Sequence, residues 1–501
     1  MRRLLPGIAA FSAAILVALL GLYARAEAPS DSPRASTGSV RLRLLGVNDF
    51  HGHLEPPKPG LGGAAWLKSH LDRAEIPGRT IRVHAGDMVG ASPLISGWFH
   101  DEPSIEAANE IGFDLGTLGN HEFDAGGDEL LRLLKGGQRQ GPAAYKRDLD
   151  GRPINTSSST FGGAAFPYIA ANTYDRAGEL LLPPFRIEER AGVRVGFIGV
   201  TTTSTPQFLL SRHASRLRFQ DISDSVNRWV PELQSRGVEA IVVLAHSGGA
   251  TPPGIDPSRA AGEIVDEARQ MSDAVDVVIA GHTHSSLNLR VGDKLLVEAR
   301  SYGTAYDRVD MTIDRGSGEV VAKSAEVPAT THAETAPDPD VAALVDRYAK
   351  RVGPLAHQVV GEARRPLTRM GGELGALVAR AQRYAARADL AVASFGSLHG
   401  EIDAGPITYA EVAEAQGYNH RLMRARMRGA DVLALMEEES NLYLSRPPGR
   451  PIEPDRTYTV AANELLIDRS PLMRRRARGA RPVSTEIDAL AGYLARRAAA
   501  S

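Results

Sequence analysis

The segment TLGNHEFDAG, residues 117–126, places an amide, an imidazole and two carboxylates within five consecutive positions. A tight turn requires only the glycine and the asparagine, so a turn leaves His121, Glu122 and Asp124 without a role. Side chains of these types bind metal ions or transfer protons in active sites. We therefore expect a functional loop here, provided that other residues of the same types converge on it.

Metal-capable residues also follow four other short apolar runs, in the segments VNDFHGH, HAGDMVG, LAHSGG and AGHTHSS. Together with the amide of the first segment, the candidate ligands are Asp49, His51, Asp87, Asn120, His246, His282 and His284. In open α/β sheets ligands bind outside the carboxyl ends of the strands, so residues far apart in sequence can converge in one crevice. The two-residue spacing of Asp49 and His51, and of His282 and His284, aims both side chains of a pair the same way if the backbone is extended.

The ligand types are consistent with two divalent metal ions. Carboxylate, imidazole and one amide oxygen suit Mn²⁺, Fe²⁺, Co²⁺ or Zn²⁺, and the sequence contains no cysteine for a thiolate site. Asp87 can bridge two ions, and ions about 3.5 to 4 Å apart can clamp the attacking and leaving oxygens of a phosphoryl transfer. His121 can then donate to a phosphate oxygen or to the leaving alkoxide, with Asp124 holding its tautomer. Glu122 is expected to be structural, because backbone donors can satisfy its carboxylate.

Short apolar runs alternate with helical patterns from Val40 onward, which indicates a layered α/β structure. The predicted strands span residues 40–47, 80–84, 115–118, 193–200, 240–244 and 275–280. The predicted helices include residues 63–74, 103–111, 221–236 and 341–351. This alternation by itself predicts an open sheet with the candidate ligands at the carboxyl ends of its strands.

At 501 residues the chain is too long for one hydrophobic core, so two or three domains are expected. The segment VPATTHAETAPDPD, residues 327–340, is the strongest candidate boundary. We predict a linker over residues 29–40, a catalytic domain over 41–330, a linker and helix over 331–355, and a second domain over 356–501.

Residues 1–28 have the layout of a secretory signal peptide, with two arginines, an apolar run and a small-residue cleavage pattern. The apolar run is shorter than the roughly 20 residues of a membrane span, although an uncleaved anchor stays open. We expect export to the periplasm or the extracellular space, with no stable membrane partner if the segment is cleaved. The formal net charge of −2 provides no broad basic field, so no nucleic-acid polymer is expected as a partner, and a phosphate-bearing substrate must be attracted locally.

The ordered set NDFHGH, GDMVGASP, GNHEFD, AHSGG and GHTH resembles the calcineurin-like metallophosphoesterases. With its second domain, the chain resembles the secreted bifunctional 5'-nucleotidase family, which includes bacterial UDP-sugar hydrolase and ecto-5'-nucleotidase. The resemblance covers most of residues 41–468 and implies an α/β fold with a four-layer β-sandwich flanked by helices, instead of an open sheet. A C-terminal α/β substrate-binding domain follows in that family. The resemblance also implies one metal ion on Asp49, His51, Asp87 and His284, a second on Asp87, Asn120, His246 and His282, and a catalytic pair of His121 and Asp124.

The C-terminal domain matches the family less well, in the segment FGSLHGEIDAGPITYAEV, residues 395–412. Where the family pattern has Asn-x-Gly-Gly-x-Arg, Phe395 stands near the asparagine and His399 replaces the arginine, and a histidine is a weaker, pH-dependent phosphate partner. Tyr418 occupies the position of an aromatic residue that stacks on the base. The family's second stacking aromatic has no counterpart in LLIDRSPLMRRR, residues 465–476. We expect Tyr418, His399 and Phe395 to bind the substrate, with His399 as a packed or surface residue as the alternative.

Together these features predict a hydrolase with two divalent metal ions that releases phosphate from nucleoside 5'-monophosphates or related small phosphoesters. The enzymatic alternatives are a 2',3'-cyclic nucleotide phosphodiesterase, a UDP-sugar or dinucleotide pyrophosphatase, and a thiosulfohydrolase. The non-enzymatic alternative is a periplasmic binding protein without turnover. The sequence leaves the native metal, the base preference and the oligomeric state open.

Overall fold

The structure, a computed structural model, describes residues 38–141, 144–147, 152–251 and 259–499. The predicted signal peptide over residues 1–28 lies outside the described residues, as does the predicted linker up to residue 37. Within the described part of the chain, no helix combines the length and the apolar character that crossing a membrane requires.

Two six-stranded sheets pack face to face in the first part of the chain. The strand order is β16-β15-β1-β2-β3-β6 in one sheet and β13-β14-β12-β11-β9-β8 in the other. Strands β4 and β5 form a separate two-stranded pair, as do β7 and β10. The bounds are β1 Ser39–Val47, β2 Thr80–His84, β3 Leu115–Thr117, β4 Tyr145–Arg147, β5 Pro153–Asn155, β6 Tyr168–Ile169, β7 Thr173–Asp175, β8 Phe185–Arg190, β9 Val193–Thr201, β10 Leu217–Phe219, β11 Ala240–His246, β12 Val277–Ile279, β13 Ser286–Val291, β14 Lys294–Ala299, β15 Asp307–Asp314 and β16 Val320–Glu326. Leu44 and Val83 of the first sheet share a buried cluster with Phe197 and Val242 of the second. This cluster is the core of a β-sandwich.

Helices cover both outer faces of the sandwich. In chain order they are α1 Ala64–Ala74, α2 Leu94–Gly97, α3 Glu102–Ile111, α4 Gly127–Lys135, α5 Ser211–Ala214, α6 Ile222–Ser235, α7 Glu263–Gln270 and α8 Pro339–Ala356. Leu67 of α1, Ile105 of α3 and Val341 of α8 pack on the first sheet. Val226 of α6 and Ile264 of α7 pack on the second. The four-layer α/β architecture implied by the resemblance is therefore confirmed.

The single open sheet that alternation alone predicted is wrong. The predicted strands and helices exist and agree with the observed ones to within about two residues at most ends, but they divide between two sheets. A strand buried on both faces reads as a continuous apolar run in either architecture, so the pattern of runs cannot distinguish them. The division depends on which strands pair, and that is a long-range property.

The last part of the chain forms a separate five-stranded sheet with the order β21-β18-β22-β20-β23. Its strands and the two-stranded pair β17–β19 have the bounds β17 Val359–Ala363, β18 Leu390–Ser394, β19 Gly405–Thr408, β20 Arg421–Arg428, β21 Leu442–Ser445, β22 Thr457–Asn463 and β23 Arg478–Thr485. The helices are α9 Glu373–Ala385, α10 Tyr409–Ala415, α11 Gly429–Glu438, α12 Glu464–Arg469, α13 Pro471–Arg476 and α14 Glu486–Ala498. Apolar clusters place α9 and α14 on one face and α11, α12 and α13 on the other. The exact domain bounds stay a prediction.

Candidate metal centre and active site

The candidate ligands lie at the carboxyl ends of parallel strands, or a few residues after them, in both sheets. Strands β1, β2 and β3 are parallel in the first sheet, and β11 and β12 are parallel in the second. The first sheet supplies Asp49, His51, Asp87 and Asn120, and the second supplies His246, His282 and His284. The sequence argument about strand ends therefore holds, although the strands belong to two sheets.

The ligand atoms form two groups, and each group draws on both sheets. The first consists of Asp49, His51 and His284, whose ligand atoms lie within 4.8 Å of one another. The second consists of Asp87, His246 and His282, within the same limit. Neither group can form before the two sheets have packed together.

The backbone at these residues is not extended. Asp49, His51, Asp87, His282 and His284 all have positive φ, between 49° and 80°. The extended backbone on which the alignment of each pair depended is therefore not found at these residues. Non-glycine residues in the left-handed region are strained and persist only where the surroundings hold them, which is typical of functional sites.

Backbone carbonyls orient two of the imidazoles. His51 Nδ1 lies 2.8 Å from the Gly90 carbonyl oxygen, and His246 Nδ1 lies 2.8 Å from that of Ala85. Each ring donates through Nδ1, so Nε2 is the nitrogen that faces the centre. Metal-ligating histidines are commonly held in this way.

The carboxylates leave free oxygens at the centre, as a metal site requires. Asp49 Oδ2 accepts hydrogen bonds from Asn48 Nδ2 at 2.7 Å and from the His282 backbone N–H at 2.8 Å. Its Oδ1 is buried, has no hydrogen-bond partner among the described residues, and lies 3.2 Å from His284 Nε2. A buried carboxylate oxygen without a donor is costly unless a cation completes it. The residues present therefore fit a bound metal ion.

Asp87 faces both groups. Its Oδ1 accepts from the His121 backbone N–H at 2.8 Å, while Oδ2 lies 3.0 Å from His246 Nε2 and 3.6 Å from His51 Nε2. Burial alone would raise the pKa of this carboxyl group, but the charges of His246 and His121 hold it below its usual range. Asn120 Oδ1 points to the same centre, 3.1 Å from His246 Nε2. This position would allow Asp87 to serve both ligand groups, with the Asn120 amide oxygen beside it.

His121 and Asp124 form a pair next to the metal groups. His121 Nδ1 lies 2.8 Å from Asp124 Oδ2, which leaves Nε2 available to a substrate. Burial would lower the pKa of His121, but the charges of Asp124 and Asp87 outweigh burial and raise it to about 9. Two divalent cations nearby would oppose this rise. The pair can hold and deliver a proton beside the metal centre.

Glu122 ties two active-site loops together. Its carboxylate accepts the backbone N–H groups of Asp87 at 2.9 Å, Gly119 at 2.6 Å and Met88 at 2.8 Å. Burial, followed by the charge of Asp87, raises its pKa to about 7. This is the structural role expected from the sequence, since the side chain connects the loops after β2 and β3.

Tyr418 and His399 reach this centre from the C-terminal domain. The Tyr418 ring stacks on His121 with centroids 5.4 Å apart, and His399 meets Tyr418 edge-on at 4.3 Å. Burial, and then the charges of His121 and Arg369, lower the pKa of His399 to about 3. His399 is therefore neutral at physiological pH and cannot replace the charge of an arginine.

Arg369 is a candidate that the sequence analysis missed. Its guanidinium lies over the Phe395 ring at 5.0 Å, and its buried Nε has no hydrogen-bond partner among the described residues. Its charge also acts on His399 and Tyr418. Arg369 precedes His399 by thirty positions, in a loop without a recognisable motif, so only the fold brings it to Phe395.

The segment that replaces the family's second aromatic binds the other domain instead. Asp468 accepts the backbone N–H of Ser211, and Arg469 donates to the carbonyl oxygens of Leu209 and Pro206. Arg212 adds an ion pair with Glu464 at 3.2 Å. These contacts join α12 to the catalytic domain on one side of the cleft.

A cavity of about 440 Å³ lies between the domains beside His121 and Asp124. Arg139 and Lys146 line it from the catalytic domain, and His420 lines it from the C-terminal domain. The cavity is large enough for the leaving group of a small phosphoester.

Comparisons with known proteins agree with this architecture. The calcineurin-like phosphoesterase model matches residues 42–286, and the 5'-nucleotidase C-terminal domain model matches residues 352–448. Endonuclease YhcR of Bacillus subtilis is 32% identical over 473 residues, which are 85% of this chain and 37% of that protein. Cell wall protein Lmo0130 of Listeria monocytogenes is 30% identical over 86% of this chain and 60% of that protein. The chain thus spans less than two thirds of either relative.

The crystal structure of a 5'-nucleotidase precursor from Thermus thermophilus superposes with a TM-score of 0.72. It is 23% identical and the match covers 92% of this chain and 97% of that one. The two proteins therefore share both domains of the fold.

Proposed function

The chain belongs to the calcineurin-like phosphoesterases that carry a 5'-nucleotidase C-terminal domain, and on this premise we propose that it is an exported hydrolase with two divalent metal ions. Its substrates are nucleoside 5'-monophosphates or related small phosphoesters. The observation that supports this most directly is the pair of ligand groups joined by Asp87, with His121 beside them. Export is supported by the sequence of residues 1–28 and by the relative named as a cell wall protein.

The residues divide into two metal sites. Asp49, His51 and His284 would hold one ion, and His246, His282 and Asn120 would hold the other, with Asp87 placed to serve both. Bound there, divalent ions neutralise phosphate charge and lower the pKa of the attacking water. Mn²⁺, Zn²⁺, Fe²⁺ and Co²⁺ all suit this set of oxygen and nitrogen ligands.

The chain's own groups handle the leaving group. His121 Nε2 donates its proton to the leaving oxygen, because Nδ1 is engaged by Asp124. Tyr418 provides one face for a base, and Arg369 provides the positive charge that His399 lacks. Since α12 binds the catalytic domain where a second aromatic would be needed, the base is held on one side only.

The test is phosphate release from a panel of nucleoside 5'-monophosphates and p-nitrophenyl phosphate, with added Mn²⁺ and after chelation. We expect metal-dependent release from both substrate types, with little preference among bases. Undiminished hydrolysis by metal-free protein would contradict the two-metal assignment. Binding of AMP without any turnover, in metal-loaded protein, would favour a binding protein instead.

A further inference from the structure

The C-terminal sheet carries four arginines in two directly opposed pairs. Across the antiparallel strands β20 and β23, Arg424 lies opposite Arg481, and Arg426 lies opposite Arg478. All four are at least partly exposed, and among the described residues none of them forms an ion pair within 4.0 Å, although the charge of Arg424 acts on Asp389. Like charges directly opposite each other on neighbouring strands destabilise a sheet. We name these four residues the arginine ladder.

Protection of the sheet edge against pairing with other chains explains the two arginines of β23 but not the two of β20. Charged residues on an edge strand prevent pairing with other chains, and β23 is the last strand of this sheet. Arg424 and Arg426, however, are on β20, which lies between β22 and β23. Placing them against a charged edge lowers stability without protecting anything, and departures of this kind mark functional sites.

A groove of about 500 Å³ between α9 and α14 adjoins the ladder. Tyr384 is half exposed in this groove, its ring centroid lies 5.6 Å from that of Tyr493, and the Arg496 guanidinium lies 5.8 Å over its ring. Ala388, which also lines the groove, packs against the buried cluster that contains Leu422 of β20, and the charge of Arg424 helps to lower the pKa of Asp389, the residue after Ala388. The groove and the ladder are therefore neighbours.

Arginines combined with exposed aromatic rings match the chemistry of a nucleic-acid single strand. The guanidinium groups bind successive phosphates, and each base has a flat face that stacks on an aromatic ring. Alternate residues of a strand lie about 6.6 Å apart, so Arg424 and Arg426 can contact different phosphates of one chain. A bilayer surface also offers phosphates to the ladder, but it has no flat base that could stack on the half-exposed Tyr384.

We propose that the arginine ladder and the adjoining groove bind single-stranded nucleic acid, with the backbone on the arginines and a base on Tyr384. The expectation of no nucleic-acid polymer rested on the net charge of −2, and a sum over the whole chain hides a local concentration of arginine. The face also lies near the cleft, because β20 begins directly after His420, whose ring stacks on Tyr418 at 5.4 Å. About 10 Å of strand separates Arg421 from Arg424.

The test is fluorescence anisotropy of a labelled 20-nucleotide dT oligomer with the full chain, over a range of salt concentrations. The probe is checked for cleavage on a denaturing gel. In the double variant Arg426→Ala/Arg478→Ala, losing two phosphate contacts should reduce the slope of log K against log salt by about 1.4. Tyr384→Ala should weaken binding roughly tenfold with little change in that slope.

The matched control is Arg176→Ala/Arg218→Ala, which removes two exposed arginines from the catalytic domain. It should bind like the wild type. Because the ladder variant relieves like-charge repulsion, its melting temperature should not fall, which separates lost binding from misfolding. A 20-base-pair duplex should bind less tightly than the single strand, since its bases cannot stack on Tyr384.

Unchanged oligonucleotide binding in the ladder variant would overturn the proposal, as would equal losses in the ladder and control variants. The proposal also fails if the ladder variant loses binding only to vesicles containing phosphatidylserine, because the face would then contact lipid. Tighter binding of the duplex than of the single strand would contradict the proposed stacking of a base on Tyr384. None of these measurements depends on phosphate release, so they stand apart from the proposed hydrolase activity.

Discussion

Replacing His121 separates proton delivery from metal binding. Its Nδ1 is held by Asp124 at 2.8 Å and its ring stacks on Tyr418, so Nε2 is the atom left to face a substrate. A positioned general acid contributes about 10² to 10⁴ in rate. His121→Ala should therefore lower kcat by about 100-fold or more, which corresponds to about 2.7 kcal/mol at the transition state, and should keep both metal ions.

Asp124→Asn should have a smaller effect on kcat. The pKa of His121, about 9, lies above its ordinary 6.5, and this rise corresponds to about 3 kcal/mol in favour of the protonated ring. Asp124 provides only part of that, because Asp87 contributes as well. Asparagine at this position can still accept from Nδ1, so we expect a loss of about tenfold.

The assay combines steady-state kinetics on AMP with metal analysis of each purified variant. His246→Ala provides the comparison, since a ligand variant should lose metal and activity together. If His121→Ala loses as much metal as His246→Ala, then His121 is a ligand and the proposed role is wrong. A kcat for His121→Ala within a few fold of wild type would equally refute it.

Three further predictions follow from the same geometry. Asp87→Ala should lose both metal ions and all hydrolysis, whereas His282→Ala should lose one ion. If metal analysis finds one ion in Asp87→Ala, then Asp87 does not serve both metal sites. Arg369→Ala should raise KM for AMP by tenfold or more, because a charged hydrogen bond to an anion contributes about 1.5 to 3 kcal/mol. The control variant Arg365→Ala, at an exposed arginine, should leave KM unchanged. Equal KM values for the two variants in kinetic assays would exclude Arg369 from the site. Burial, followed by the charge of Asp49, raises the pKa of Glu298 from 4.5 to about 9. Between these two values the folded chain keeps a proton that the unfolded chain releases, so the free energy of unfolding falls as the pH rises across this range. Glutamine at position 298 stays neutral at every pH, so the melting temperature of metal-free Glu298→Gln, relative to that of the metal-free wild type, should rise between pH 5 and pH 9. A difference in melting temperature that stays constant over this range would show that Glu298 is ionised throughout.

The identity and order of the candidate ligands could be predicted from the amino-acid sequence. Each follows an apolar run, and a polar metal-capable residue immediately after a buried strand has few packing roles to fill. The structural role of Glu122 could also be predicted from the sequence, because its carboxylate accepts the N–H of Gly119, only three residues earlier. Local hydrogen bonds and strand ends depend mainly on neighbours in the chain, so sequence patterns report them well.

How these residues come together could not be predicted from the sequence, because it depends on long-range packing. Asp49 and His284 are brought together by the stacking of two sheets, and the left-handed backbone at both positions is imposed by contacts from distant segments. Arg369 comes to Phe395, and α12 to the catalytic domain, through packing between elements that share no local pattern. The opposed arginines of β20 and β23 exist only in the register of that strand pair. Such pairings depend on the free energy of the whole fold, which is spread over many long-range contacts and leaves no signature in a short stretch of sequence.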